Sequence, residues 1–355
     1  MNFALTTNQT DLRDAARRHL EDRYPAARIA DLADGPGADR DAWPALRDQG
    51  WLDPDLDPVL LALLAEETGR ALLPAPWWAT VRTDLPKPSG RPSTLADGST
   101  TCHADDVAGR WRLDGRISAV TDAEHAEEFV VSAGGPDGLM LFLVTAGDPG
   151  LTVTPVPGVD PLRRGADLTL AGATGELLTA PGEAAEVLTA TGRRSALLLG
   201  AEAVGVAARA LEMAVEHAKT RVQFGRAIGS YQAVAHRLAD GYSDVELARS
   251  LVYRAACVLA RPGDDPGEAL ACAAYAGALA AVRVCESAIQ VLGGMGVTWE
   301  HPLHRWYRRA LWIDAYLTGR TDPLGAIAAE LLGAAPGTPA PRGAAASPAE
   351  AAAWR

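Results

Sequence analysis

The sequence predicts an α+β fold in three successive parts: an N-terminal helical domain, a middle antiparallel β domain and a C-terminal four-helix bundle. Apolar residues recur at helical spacing from 7 to 73, then give way to short Val-, Leu-, Thr- and Trp-rich segments divided by turns. From about 191 to 332 the helical period returns, in segments much longer than the usual three turns.

In the first part Leu12, Ala15, Ala16 and Leu20 share one helix face, and the run 59–73 is nearly all apolar or alanine. Pro74, Pro76 and the stretch 86–92 break this pattern, which sets the helical domain at 1–85 and a linker at 86–100. Strands are expected at 111–119, 128–133, 138–145, 151–156 and 166–170, in a β domain covering 101–188 and packed as a sandwich or barrel. Gly134-Gly135-Pro136-Asp137-Gly138 supplies turn residues for a hairpin. In the third part, 189–333, Val204, Ala208, Leu211, Val215 and Ala218 repeat at helical spacing, as do Val234, Leu238, Val245, Val252 and Leu259. The segment 268–291 is dominated by alanine, which favours helix and lets neighbours approach closely. Four such segments in a row make a bundle. The Ala-, Pro- and Gly-rich stretch 334–355 reads as a disordered tail.

At 355 residues and 48% hydrophobic, the chain is able to bury a sizeable core. Its net charge of -12 opposes nucleic acid and anionic membrane surfaces, so neither is expected as a partner. No apolar run approaches the roughly 20 residues of a membrane span, and the N-terminus has no basic start followed by an apolar stretch. A cytoplasmic protein is expected. Cys102, Cys257, Cys272 and Cys285 are far apart with no CxxC or Cys/His cluster, so free thiols are expected and no metal site.

Two stretches carry chemistry. The first is Arg221-Val222-Gln223-Phe224-Gly225, followed by Tyr231-Gln232 and the helix through Ala239-Asp240. An Arg at a helix end offers a planar fork for paired, charge-assisted bonds to a diphosphate, and Phe224 can pack on an aromatic cofactor. The second is Ala288-Ile289-Gln290-Val291-Leu292-Gly293-Gly294-Met295-Gly296, running on to Thr298-Trp299-Glu300-His301-Pro302 and Arg308-Arg309-Ala310. Gly293 and Gly294 let backbone approach a ligand, and Gln290 offers both a donor and an acceptor. On the residues alone, a salt-bridged Arg, a core Phe and a glycine helix cap are equally compatible with these patterns. Arg305, Arg308, Arg309 and Arg320 form a local basic group, which suits ion pairs within an oligomer or an anionic cofactor tail.

These stretches, at this spacing, resemble the acyl-CoA dehydrogenase family, with weaker similarity at Trp111-Arg112-Leu113-Asp114-Gly115 and Leu5-Thr6-Thr7-Asn8-Gln9. The resemblance implies that Arg221, Phe224, Gln290, Gly293, Gly294 and Gln232 contact a flavin adenine dinucleotide (FAD) held mainly by a neighbouring subunit. It also implies a Glu base just before a Gly-Thr pair, to take a weakly acidic proton beside a thioester. The matching stretch here is Tyr316-Leu317-Thr318-Gly319-Arg320-Thr321, with Leu317 or Thr318 at the Glu position. The alternative location falls near Arg194 or Ser195, where there is also no acid; Asp314 and Asp322 remain nearby as substitutes. The family's Thr-Glu-Pro segment before the β strands is replaced by Val81-Arg82-Thr83-Asp84-Leu85-Pro86-Lys87. The resemblance therefore points to a short, non-catalytic subunit of a hetero-oligomeric enzyme that dehydrogenates an acyl thioester. Its homologous partner would carry the Glu base. The alternatives are a self-sufficient tailoring enzyme with altered or non-redox chemistry on an acyl thioester, and a subunit that binds no flavin.

Overall fold

The computed structural model describes residues 5–83, 90–180, 182–320 and 322–332, apart from the side chain of Arg320. The expected tail, 334–355, lies outside them, as do Asp84 to Lys87 and Thr321.

Five helices open the chain: α1 (Thr7–Arg23), α2 (Ala26–Asp34), α3 (Ala42–Asp48), α4 (Pro58–Ala71) and α5 (Trp77–Val81). α1 begins with a capping box, in which Thr6 accepts from the Gln9 amide and the Gln9 side chain accepts from the Thr6 amide. α4 starts at Pro58 behind the Asp57 cap and is buried continuously from Leu61 to Gly69. Its two buried acids are both paired. Glu67 accepts from Arg17 of α1 at 2.7 and 2.9 Å, and Glu66 from Arg249 at 3.0 Å and from the Tyr253 hydroxyl at 3.1 Å.

Seven strands follow: β1 (Ser93–Asp97), β2 (Cys102–Asp106), β3 (Trp111–Val120), β4 (Glu128–Gly135), β5 (Gly138–Thr145), β6 (Leu151–Val156) and β7 (Gly165–Leu177). The pairings β2–β3, β3–β7, β7–β5, β5–β4 and β4–β2 close a ring, so the sheet is a barrel with Phe129, Val131, Phe142 and Leu168 in its interior. Most pairings are antiparallel; β4 pairs in parallel with both β1 and β2. β1 lies in the stretch expected to be linker, because a five-residue strand entered from Pro92 shows no alternation long enough to register. The β4–β5 hairpin turns at Pro136-Asp137, with Gly135 opposite Gly138.

The bundle consists of α6 (Ala184–Thr220), α7 (Gln232–Leu259), α8 (Gly267–Leu292) and α9 (Leu303–Arg320), with α10 (Pro323–Leu332) packed on α8. A two-strand hairpin, β8 (Val222–Gln223) with β9 (Arg226–Ala227), joins α6 to α7. α6 starts five residues before the expected boundary, since Val187 and Leu188 already pack with Ala184 against the outer barrel face at Val130 and Leu141. α4 and α6 cross in backbone contact: a Cβ on Gly69 would strike the Glu202 carbonyl, and one on Gly205 the Glu66 carbonyl. Gly267–Val297 is long and apolar enough by composition to cross a bilayer, which corrects the expectation that no such run exists. Its alanines count as apolar, and here they let α8 pack closely among its bundle neighbours, with 56% of the apolar window buried. Cys102 and Cys285 are buried, Cys257 and Cys272 half-buried, and none is bonded.

Barrel and bundle are joined by four buried charges. Asp160 and Arg163, on the loop between β6 and β7, meet Glu202 of α6 and Arg309 of α9. Arg163 donates to both Glu202 oxygens at 2.9 and 3.0 Å, while Arg309 donates to Asp160 and to Glu202. Arg309 thus pairs inside its own chain, not across an oligomer. A third carboxyl, Asp122 after β3, is also buried, with Oδ2 lacking a partner. Burial, with Glu202 and Asp160 adding to it and Arg163 and Arg309 opposing it, pushes Asp122 up to about 6 from the ordinary 3.8.

Two outcomes are expected. Removing one member of this cluster, as in Arg309→Ala, leaves buried carboxylates underpaired and costs about 3–5 kcal/mol in urea unfolding. Asp122 acts in the opposite sense. Between pH 3.8 and about 6 the folded chain holds a proton that the unfolded chain releases, so this group's stabilisation is complete below that window and lost as pH rises through it. Asp122→Asn should therefore raise stability at pH 8 by up to roughly 3 kcal/mol, with the gain vanishing by pH 4. Unfolding curves at the two pH values compare parent and variant.

Candidate functional site

α6 and α8 run in the same direction, and α7 returns between them. Gly200 of α6 lies against Gly277 of α8, and further along Gly241 of α7 faces both Leu211 and Val284. The two chemistry-bearing stretches therefore reach the same end of the bundle. Arg221 caps the C-terminus of α6 and is exposed; its side chain makes no hydrogen bond or ion pair with any described residue. Phe224 and Gly225 form the two-residue turn of the β8–β9 hairpin, with φ values of 51° and 82°. That is a type I′ turn, unusual for a Phe, and it leaves the ring 93% exposed. Arg226 braces the hairpin from 4.0 Å over the Tyr231 ring, and the Tyr231 hydroxyl donates to the Gln223 carbonyl at 3.1 Å.

Gln232 is the first residue of α7 and is exposed. Gln290 lies exposed on the last turn of α8, and Gly293 ends that helix at φ 64°. No atom lies within 4 Å of where a Cβ on Gly293 or Gly294 would sit, so the backbone there is an open cradle. Beyond it Met295, Val297 and Trp299 are exposed, with Trp299 held against His304 at 4.7 Å and under Arg308 at 5.0 Å. Sequence reading did not single out Trp299. Burial and Arg221 lower the His217 pKa, and burial and His217 lower that of His301. Burial, Arg305 and Arg308 push His304 down to about 4. His304 is therefore neutral at pH 7, where the arginines carry its neighbourhood's positive charge.

The cleft between barrel and bundle is filled from within. Trp78 of α5 packs edge-on against Trp312 at 5.7 Å and Tyr316 at 5.2 Å, and those two α9 rings stack at 5.1 Å. Arg163 lies 4.6 Å over Trp312 and 5.3 Å over Trp78. Arg82 lies 4.5 Å over Trp78 and donates to the Tyr316 hydroxyl at 2.7 Å. Beside this stack, next to Thr80, Glu128 and Arg194, there remains a void of about 50 Å³, room for one or two waters. Leu317 is 3% exposed and part of the core. The Thr318 hydroxyl donates to the Asp314 carbonyl, and Asp322 accepts from the Gly325 amide at the start of α10. Glu202 is buried; Arg163 and Arg309 outweigh that burial and hold its carboxyl below the usual range, as an ion-pair anchor. Among the described residues no group of His, Cys, Asp or Glu could hold a metal.

Residues 186–331 match the family model described as acyl-CoA dehydrogenase, C-terminal domain. The acyl-CoA dehydrogenase IpdE2 of Mycobacterium tuberculosis is 33% identical over 302 residues, which cover 81% of this chain and 85% of that protein. The chain belongs to the acyl-CoA dehydrogenase family. FadE27 of the same organism is 37% identical over 236 residues, 62% of this chain, and the match spans only 61% of FadE27. In the solved ChsE4-ChsE5 complex from M. tuberculosis a chain superposes with a TM-score of 0.81 at 30% identity, over 96% of this chain and 100% of that one. Family membership brings an oxidoreductase fold and FAD as the expected cofactor. The residues at the bundle end are suited to part of that cofactor: an uncommitted guanidinium, an outward aromatic ring and a glycine cradle.

The strained turn is directly testable. Phe224→Asn keeps the I′ geometry with a residue that tolerates φ > 0, and loses little packing because the ring is exposed. It should leave the isolated chain as stable as the parent, or more stable by up to about 1 kcal/mol, in thermal melts.

Proposed function

We propose that this chain is the non-catalytic subunit of a hetero-oligomeric acyl-CoA dehydrogenase, α2β2 in composition and cytoplasmic. A homologous partner carries the Glu base and most of the FAD contacts. The observation that carries the reading is an opposition within one chain. Arg221, Phe224, Gln232, Gln290, Gly293 and Gly294 face outward at one end of the bundle, while Leu317 is sealed in the core beside a cleft packed with three aromatic rings.

In this reading Arg221 would hold the diphosphate with its fork, the amides at Gly293 and Gly294 would allow its close approach, and Phe224 would cover a cofactor ring and exclude water. Gln232 and Gln290 orient the cofactor by hydrogen bonds. When bound, FAD would supply the acceptor for a hydride from the carbon β to the thioester carbonyl, the α-proton being left to a Glu on the partner. The apolar side chains around the clamp, Val222, Met295, Val297 and Trp299, supply a surface for the partner chain. The match to a chain of the ChsE4-ChsE5 complex supports a two-chain assembly.

Co-expression with a homologous subunit that has the Glu is expected to give a yellow complex active on an acyl-CoA. Arg221→Ala should lower flavin retention and rate by at least tenfold, about 1.4 kcal/mol, with the complex still assembled on gel filtration. A variant complex with full flavin and full rate would refute the role given to Arg221.

A further inference from the structure

The hairpin that carries the clamp is too small to hold itself. β8 and β9 contribute two residues each, a two-stranded ribbon of that size is marginal in water, and its turn is strained at Phe224. The clamp side chains are fastened to different degrees. Arg221 is fixed through its own backbone: its amide donates to the His217 carbonyl at 2.9 Å, and its carbonyl accepts from the Ile228 amide at 2.8 Å. Phe224 lies beyond both bonds, at the tip.

Tyr231 reaches that tip from a rigid base. Its amide donates to the Ile228 carbonyl at 3.1 Å, and its carbonyl accepts from the Val234 and Ala235 amides at 3.0 and 2.9 Å, in the first turn of α7. The single helical turn before it, Ile228–Ser230, is seated on the end of α6, where a Cβ on Gly229 would come to 3.0 Å from the Ala218 carbonyl. From this base the Tyr231 hydroxyl donates to the Gln223 carbonyl at 3.1 Å. That carbonyl belongs to the peptide plane leading into Phe224, so the bond fixes the plane from which the ring is aimed. On the other side of the turn, Arg226 lies 4.0 Å over the Tyr231 ring. One side chain thus holds the strands on both sides of the tip. We infer that Tyr231 is a positioning residue for the cofactor, acting through Phe224: it holds the ring in place before the cofactor binds. Order set in advance removes a cost that binding would otherwise meet. The inference rests on reading this end of the bundle as a cofactor clamp.

Tyr231→Phe removes the hydroxyl and keeps the ring under Arg226; Tyr231→Leu removes both. In the isolated chain, hydrogen exchange of amides 222–228 at short labelling times is expected to quicken roughly threefold to tenfold in Tyr231→Phe, the worth of one hydrogen bond. Tyr231→Leu should quicken it further. Unchanged exchange overturns the strut, whatever the partner chain does. In the co-expressed complex the FAD dissociation constant is expected to rise by a similar factor in Tyr231→Phe. It should not rise when the same change is made in Phe224→Asn, which has no ring left to aim. A loss of equal size in both backgrounds overturns the inference, since the hydroxyl then acts elsewhere. Full flavin retention by Arg221→Ala sinks the subunit reading, whereas weakened flavin in Arg221→Ala beside full affinity in Tyr231→Phe sinks this inference alone.

Discussion

The rest of the molecule depends on one buried contact: the pairing of Arg163 and Arg309 with Glu202 and Asp160. Two arginines and two carboxylates, all at most 5% exposed, would each be expensive to desolvate alone. Together they neutralise one another with short, partly bidentate bonds, and they do so where three parts of the chain meet. A barrel loop contributes Asp160 and Arg163, α6 contributes Glu202 and α9 contributes Arg309. Hydrophobic burial on either side is not directional. This cluster is, and it fixes how the barrel docks on the bundle.

That orientation has a consequence for the cleft beside it. Arg163 continues from Glu202 onto the rings of Trp78 and Trp312, and Arg82 adds a second guanidinium with a hydrogen bond to Tyr316. Each cation–ring contact is worth on the order of 0.5–2 kcal/mol when desolvated. Since the arginines are anchored to carboxylate and hydroxyl, the rings have no easy alternative position. A planar cofactor entering here would have to displace an interlocked stack that also holds the domains together. The filled cleft and the domain anchor are one structure, joined through Arg163.

Much of this was legible in the sequence and some was not, for definable reasons. The long helices and five of the seven strands announce themselves through period, and Gly135 and Gly138 mark the hairpin they close. β2, with the polar run Cys102 to Asp106, lacks apolar alternation, and β1 is too short to show any. α5 is masked by Pro74 and Pro76, although its Trp77 and Trp78 are among the largest buried side chains. The ion cluster joins positions 160, 163, 202 and 309, separated by up to 149 residues, and no local pattern marks a long-range pair. Arg309 reads in the sequence as part of a basic group for oligomer ion pairs or a cofactor tail; it is interior and pairs with Asp160 and Glu202 of its own chain. At the bundle end, motif spacing gave no hint that Phe224 stands in solvent on a left-handed backbone.

That last detail bears most directly on function. A Phe at φ 51° costs on the order of 1 kcal/mol or more relative to a residue suited to the turn, and a ring 93% exposed recovers little of it by burial. Arg221 beside it has no described partner within the chain, so no ion pair offsets the entropy of holding it in place. Asn-Gly would serve the same hairpin at lower cost. A fold tuned only for its own stability has no reason to keep a strained aromatic and an uncommitted guanidinium three residues apart, in the hairpin that follows α6. The proposed partner surface over the ring and cofactor anion at the arginine would supply that compensation.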